Sequence, residues 1–298
     1  MTSKQQKNLS LVLSSGGARG LAQIGVIHWL EENRDFKISS ISGCSMGALI
    51  GGIHAAGKLD IYEQWVTALS KRDVFRLLDF SYSWSGLFSG DRLISKLRDM
   101  LGEINIEDLP VSFTAVATDL ENSREVWLSE GPLFDAIRAS IAIPTVFTPF
   151  NYKGRLLVDG GLINPVPIAP TLRDNTDLTV AVNLNGRQEA MFFEHEEPDT
   201  QPDAKQSQYQ KAIANFIEGI QDRLGRQSDE PSMGMLDVVS RSIETMQNNI
   251  SRFRMAAYNP DYLIEIPVNA CGLFDFHRAQ EMIDLGYERA EKAFRDKD

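Results

Sequence analysis

The sequence predicts an α/β protein with parallel strands, and two stretches carry that prediction. Leu9–Leu13 is a short apolar run, Ser14–Gly20 is a glycine-rich turn, and residues 21–33 carry apolar positions at helical spacing. Ile38–Ser42 repeats the pattern: a strand, a tight turn through Gly43-Cys44-Ser45-Met46-Gly47, then a helix of small residues to Ala56. Parallel strands that each end in a glycine-rich turn and start a helix bring both turns to one carboxyl edge of a sheet.

Composition sets the bounds. A chain of 298 residues, 43% hydrophobic and 24% charged, can bury a substantial core without staples. The net charge of −11 argues against nucleic acid as a partner, because phosphate binding needs a basic footprint. It does not oppose transient contact with a membrane surface through apolar residues. Two cysteines, Cys44 and Cys271, rule out a disulfide framework, show no metal-ligand spacing, and read as free thiols in a reducing compartment. The polar tail Met1–Asn8 and the short run after it fit neither a signal peptide nor a bilayer span. The expectation is a cytoplasmic protein, at most peripheral at a membrane.

The remaining elements follow in order. Residues 60–101 read as amphipathic helix broken by a loop at Ser81–Gly90, with Phe75, Phe80, Tyr82, Trp84 and Phe88 as core contacts or a wall for an acyl chain. Val111–Asp119 and Arg124–Leu128 read as strands joined by a turn at Asn122–Ser123, and Asp135–Ala142 as a short helix. Arg155–Asp159 reads as a strand ending in an acid followed by Gly160-Gly161, and Leu178–Leu184 as a buried strand. Residues 186–232 break the pattern. Gln188–Gln208 is a polar, acidic excursion, and Lys211–Leu224 reads as a helix packed on the body or as a mobile lid. Leu236–Tyr258 has Leu236, Val239, Ile243, Met246, Ile250 and Phe253 on one helical face. Tyr262–Pro267 is a last strand and Phe276–Phe294 a last helix. One domain spans 9–298, with an insertion at about 186–232.

The chemistry lies in two turns and one strand end. Gly43-Cys44-Ser45-Met46-Gly47 puts a serine on a strand-to-helix corner, at the positive end of a helix. Ser15-Gly16-Gly17-Ala18-Arg19-Gly20 can present backbone donors either to a phosphate or to an oxyanion. The phosphate reading is weak, because Ser15 stands where a dinucleotide fingerprint needs glycine and no acid closes the next strand. A serine hydroxyl needs a base. His28 and His54 fall within helices, His195 in the acidic excursion, and His277 near the C-terminus; none sits at a strand-end turn. Asp159 is the better candidate base, provided that partial desolvation strengthens it.

These segments resemble the patatin-like phospholipase family, closest to its bacterial, soluble members related to neuropathy target esterase. Gly16–Gly20 resembles the family's oxyanion loop, Gly43–Gly47 its nucleophile elbow, and Asp159-Gly160-Gly161 its catalytic-aspartate motif. Ala139–Pro144 and Asn164–Pro167 are similar to further family segments. The likeness covers Leu9–Leu184 well and the C-terminal strand and helix loosely. It implies a three-layer sandwich with a central, mostly parallel sheet flanked by helices. It also implies hydrolysis of lipid acyl esters, of the phospholipase A or lysophospholipase type, with no metal and no cofactor. Carried over residue by residue, Ser45 is the nucleophile and Asp159 the base. The backbone of Gly16, Gly17, Ala18 and Arg19 forms the oxyanion hole, with Arg19's side chain better suited to holding the loop by a salt bridge. Gly20, Gly43, Gly47, Gly160 and Gly161 support the motifs. Ser15 departs from the family's leading glycine. An acyltransferase or thioesterase using the same serine, or a non-catalytic lipid-binding regulator, stands as the alternative.

Overall fold

Chain burial begins with the first strand. In the computed structural model, which describes residues 6–77, 86–190 and 235–296, Leu9 through Leu13 are all fully buried. A strand covered on both faces needs a continuous apolar run rather than an alternating one. This strand, β1 (Lys7–Leu13), is followed by a 3-10 turn (Gly17–Leu21) and α1 (Ala22–Glu32). Next come β2 (Phe36–Cys44), α2 (Met46–Ala55), α3 (Leu59–Thr67) and α4 (Lys71–Leu77). Then follow β3 (Gly86–Phe88), α5 (Asp91–Leu101), β4 (Ser112–Asp119), β5 (Arg124–Leu128) and α6 (Leu133–Ser140). Three short strands, β6 (Thr145–Phe147), β7 (Phe150–Tyr152) and β8 (Arg155–Asp159), precede β9 (Leu178–Gly186). The described chain ends with α7 (Met235–Tyr258), β10 (Tyr262–Pro267) and α8 (Ala279–Arg295).

The main sheet has the order β10-β9-β1-β2-β4-β8-β7, with β5 also paired to β4. The five strands from β10 to β4 pair in parallel, whereas β5, β7 and β8 are antiparallel to their neighbours. The expected α/β class with a mostly parallel sheet flanked by helices is therefore what the chain adopts. On one face α2 lies against β1, β2 and β4. On the other, Val12 and Ala181 bury against Val166, Ile168 and the half-buried Tyr258 of α7. α1 and α8 approach until backbones touch: a β-carbon on Gly25 would lie 1.9 Å from the Ile283 carbonyl oxygen, and one on Gly286 1.8 Å from that of Ala22. No side chain fits at either crossing.

Three expectations change. The loop expected at Ser81–Gly90 contains β3, which pairs in parallel with β6, a strand that short apolar runs beside Pro144 and Pro149 conceal. The apolar face read on α7 is covered only in part: Val239, Ile243 and Ile250 are half-buried, Met246 and Phe253 are exposed, and Ser251 is buried. From Thr245 onward the contacts of this helix are mixed: Arg254 pairs with Glu125 of β5 at 3.7 Å, and Tyr258 packs on Val12, Val166, Ile168 and Ala181. The last helix begins at Ala279, after a 3-10 turn at Phe276–Arg278. Phe80, Tyr82, Trp84, the acidic excursion with His195, and the Lys211–Leu224 helix lie outside the described residues. Residues 1–189 with 245–298 form one compact unit, and residues 190–244 a second. Among the described residues, no helix is long and apolar enough to cross a membrane.

Candidate active site

Sheet register assembles the site. Cys44 at the end of β2 pairs with Val116 of β4, and Asp159 at the end of β8 pairs with Ala117 of the same strand. β8 runs against β2, yet it stops at the level where β2 ends. Asp159 thus arrives beside Ser45 from 114 positions further along the chain.

Ser45 occupies the corner between β2 and α2 with φ 55° and ψ −122°, a conformation that costs a non-glycine residue of order 1–3 kcal/mol. The surrounding structure enforces it. A β-carbon on Gly43 would lie 2.3 Å from the Gly47 carbonyl oxygen, and one on Gly47 2.1 Å from that of Leu13. Ser45's amide donates to Ser140 Oγ at 2.9 Å, and that hydroxyl donates to the Val116 carbonyl at 2.6 Å. Ser140, fully buried at the end of α6, thereby ties the corner to β4. The amides of Ala48 and Leu49 bond Ser45's carbonyl, which starts α2 and aims its positive end at the corner.

Asp159 is 2% exposed and Ser45 3%. Burial raises the Asp159 carboxyl from its ordinary range to about 6, against the opposing pull of the Ser45 hydroxyl, the Gly161 amide and the Cys44 thiol. The Gly161 amide donates to Asp159 Oδ1 at 2.7 Å, and the Cys44 thiol to the same oxygen at 3.7 Å. Asp159's amide and carbonyl are fixed too, by the Ala142 carbonyl at 2.9 Å and by Thr118 Oγ1 at 3.0 Å. Burial and the neighbouring carboxylate push the Cys44 thiol well above its usual range, so it remains a proton donor. The arrangement couples a serine hydroxyl to a carboxylate strengthened as a base.

The loop before α1 meets this corner, because its 3-10 turn packs on α2. The amides of Gly16 and Gly17 have no acceptor among the described residues. Ala18 is corrected as a donor: its amide is engaged by the Leu273 carbonyl at 2.9 Å. Arg19 does hold the loop, as expected of its side chain, but by donating to the carbonyls of Val268 (3.0 Å) and Cys271 (3.4 Å). The described histidines lie elsewhere. His28 pairs with Glu63 at 3.0 Å, His54 with Glu31 at 3.8 Å, and His277 lies in the turn before α8. Among the described residues, no three His, Cys, Asp or Glu side chains gather as metal ligands would.

Sequence reasoning missed Ser140 and the hydrogen-bonding part of Cys44. It also missed the Glu125 carboxylate, which accepts from Asn164 Nδ2 at 2.5 Å. Ser140 lies within the segment Ala139–Pro144 already noted, but its contact with Ser45 spans 95 positions and has no local signature.

A family model described as patatin-like phospholipase matches residues 11–172. A Mycobacterium tuberculosis protein of the NTE family is 38% identical, over 96% of this chain and 91% of that protein. The patatin-like phospholipase domain-containing protein 7 of Rattus norvegicus is 30% identical over 61% of this chain, and the match takes in 14% of that longer protein. The neuropathy target esterase sws of Drosophila willistoni is 30% identical over 54% of this chain and 11% of its own length.

Proposed function

The chain belongs to the patatin-like phospholipase family, and from that premise we propose that it hydrolyses lipid acyl esters through a Ser45–Asp159 dyad. The observation that carries the reading is Asp159: buried, raised to about 6, and brought by register beside a serine on a strained corner. A carboxylate titrating near 6 is a stronger base than an ordinary one, yet remains ionised at neutral pH.

In this mechanism Asp159 takes the Ser45 Oγ proton as Oγ attacks the ester carbonyl carbon. The amides of Gly16 and Gly17, with the positive end of α2, stabilise the charge on the carbonyl oxygen. The intermediate collapses, the leaving alcohol takes the proton from Asp159, and an acyl group remains on Ser45. Water then cleaves that ester by the same steps in reverse. Family membership supports a phospholipid or lysophospholipid as the substrate, met transiently at a lipid surface.

A fluorophosphonate probe and mixed phospholipid vesicles test this. Wild type is expected to be labelled on Ser45, to lose activity on labelling, and to release fatty acid. Ser45→Ala is expected to escape labelling and to lose at least about 10³-fold in kcat. Full activity in Ser45→Ala, or labelling of another residue, sinks the reading.

A further inference from the structure

Ser15 is 4% exposed, and its buried hydroxyl has no hydrogen-bond partner among the described residues. A buried, unpaired hydroxyl is costly and calls for a purpose. Its surroundings indicate one. A β-carbon built on Gly161 would lie 2.8 Å from Ser15 Oγ, 3.0 Å from Asp159 Oδ1 and 3.0 Å from Gln247 Nε2. These three polar atoms therefore crowd one side of Gly161, within about 6 Å of one another, a span that one bridging water covers. The glycine keeps that side clear. Gln247, on α7, is half-buried. Ser15's own amide is anchored to the Pro165 carbonyl at 2.9 Å, which fixes its position against the Asp159–Gly161 segment.

We infer that Ser15 and Gln247 are positioning residues that hold the water attacking the acyl-enzyme, within reach of Asp159. The inference rests on the Ser45–Asp159 reading and adds two residues to its second half. The Gln247 amide donates to the water oxygen and the Ser15 hydroxyl holds it from another side. The water oxygen bonds to the acyl carbonyl carbon as Asp159 takes one of its protons. The tetrahedral intermediate collapses, the bond to Ser45 Oγ breaks, and Oγ takes the proton back from Asp159. The product is a free carboxylic acid. No part of this sequence makes the first step, release of the alcohol, depend on Ser15 or Gln247.

Rapid-quench kinetics with a nitrophenyl ester separates the two halves. First-turnover release of nitrophenolate reads acylation, and the lifetime of the acyl-enzyme, followed by intact-protein mass spectrometry, reads deacylation. Ser15→Ala removes an unpaired hydroxyl and Gln247→Ala changes a half-buried helix position, so both are expected to fold. Each is expected to acylate within about twofold of wild type, and to deacylate about tenfold or more slowly. Hydroxylamine, a stronger nucleophile than water, is expected to restore turnover. Unchanged acyl-enzyme lifetimes in both variants overturn the inference and leave the dyad standing. So do equal losses in both steps, which mark a structural role. If no acyl group forms on Ser45 and Ser45→Ala turns over normally, the dyad reading fails and takes this inference with it.

Discussion

α2 begins beside a buried titratable group and ends at a half-buried one, and the two ends differ instructively. At its start, Ser45 faces Asp159. At its finish, His54 lines a cavity of about 490 Å³ with Phe36, Ile38, Leu59, Asp60 and Pro110, at the opposite edge of the sheet. Burial drives both groups toward their neutral forms: Asp159 up to about 6, His54 down to about 4. The consequences are opposite. The carboxyl becomes a better base, still ionised near neutrality, whereas the imidazole becomes a poor one. Asp159 also keeps donors around it, from Gly161 and Cys44, while His54 faces Glu31 at 3.8 Å with His28 and Asp60 nearby. Asp60 favours a protonated histidine, yet desolvation, with His28, outweighs it here. A histidine is the habitual partner of a catalytic serine, but its surroundings decide whether it can serve.

The largest expected effect contrasts the two groups directly. Asp159→Asn should lower kcat on a nitrophenyl ester by roughly 10³-fold or more, whereas His54→Gln should stay within about twofold of wild type. Comparable losses in the two variants would erase the distinction.

The next effect is on stability, and the two signs oppose each other. Neutral His54 contributes stability that is complete above its unfolded value of 6.5 and is lost as pH falls through about 4. Protonated Asp159 contributes stability that is complete below 3.8 and is lost as pH rises through about 6. Each slope reaches at most about 1.4 kcal/mol per pH unit, so in wild type they nearly cancel across this window. Urea denaturation between pH 4 and 6.5 is expected to show stability rising with pH in Asp159→Asn and falling with pH in His54→Gln. Identical profiles in all three proteins would break the comparison.

The smallest effect concerns Cys44. Activity, read as kcat/KM, should fall below about pH 6 as Asp159 takes up a proton. The thiol helps to hold the Asp159 value down, so Cys44→Ala should move that acid limb upward by a fraction of a pH unit, and Cys44→Ser should hold it near its wild-type place. An unmoved limb in Cys44→Ala would mean that the 3.7 Å contact does not tune the carboxylate.

Much of the main framework was legible in the chain. β1, β2, β4, β5, β8, β9 and β10 announce themselves as apolar runs ended by turn residues, and only their boundaries shift by a few positions. β3, β6 and β7 did not, because three-residue strands carry too little pattern. α7 misled for a different reason. Its apolar stripe is genuine in spacing, but spacing tells which residues share a face and not which face is covered. The covered side was chosen by what the rest of the chain places beneath it: Glu125 of β5 under Arg254, and Val12, Val166, Ile168 and Ala181 under Tyr258.

The site divides in the same way. Local chemistry determined that Ser45 would sit on a glycine-flanked corner, because Gly43 and Gly47 are needed wherever backbone passes that close. It also determined that the Gly16–Gly17 turn would open toward the same sheet edge, since parallel strands followed by helices leave no other place for it. Only the tertiary structure decided that Ser140 supports the corner, that Leu273 engages Ala18's amide, and that Ser15 faces Gly161. These contacts join residues from 95 to 255 positions apart. Burial likewise depends on what the rest of the chain places around a group. No reading of Asp159 or His54 alone could tell which would become the stronger base.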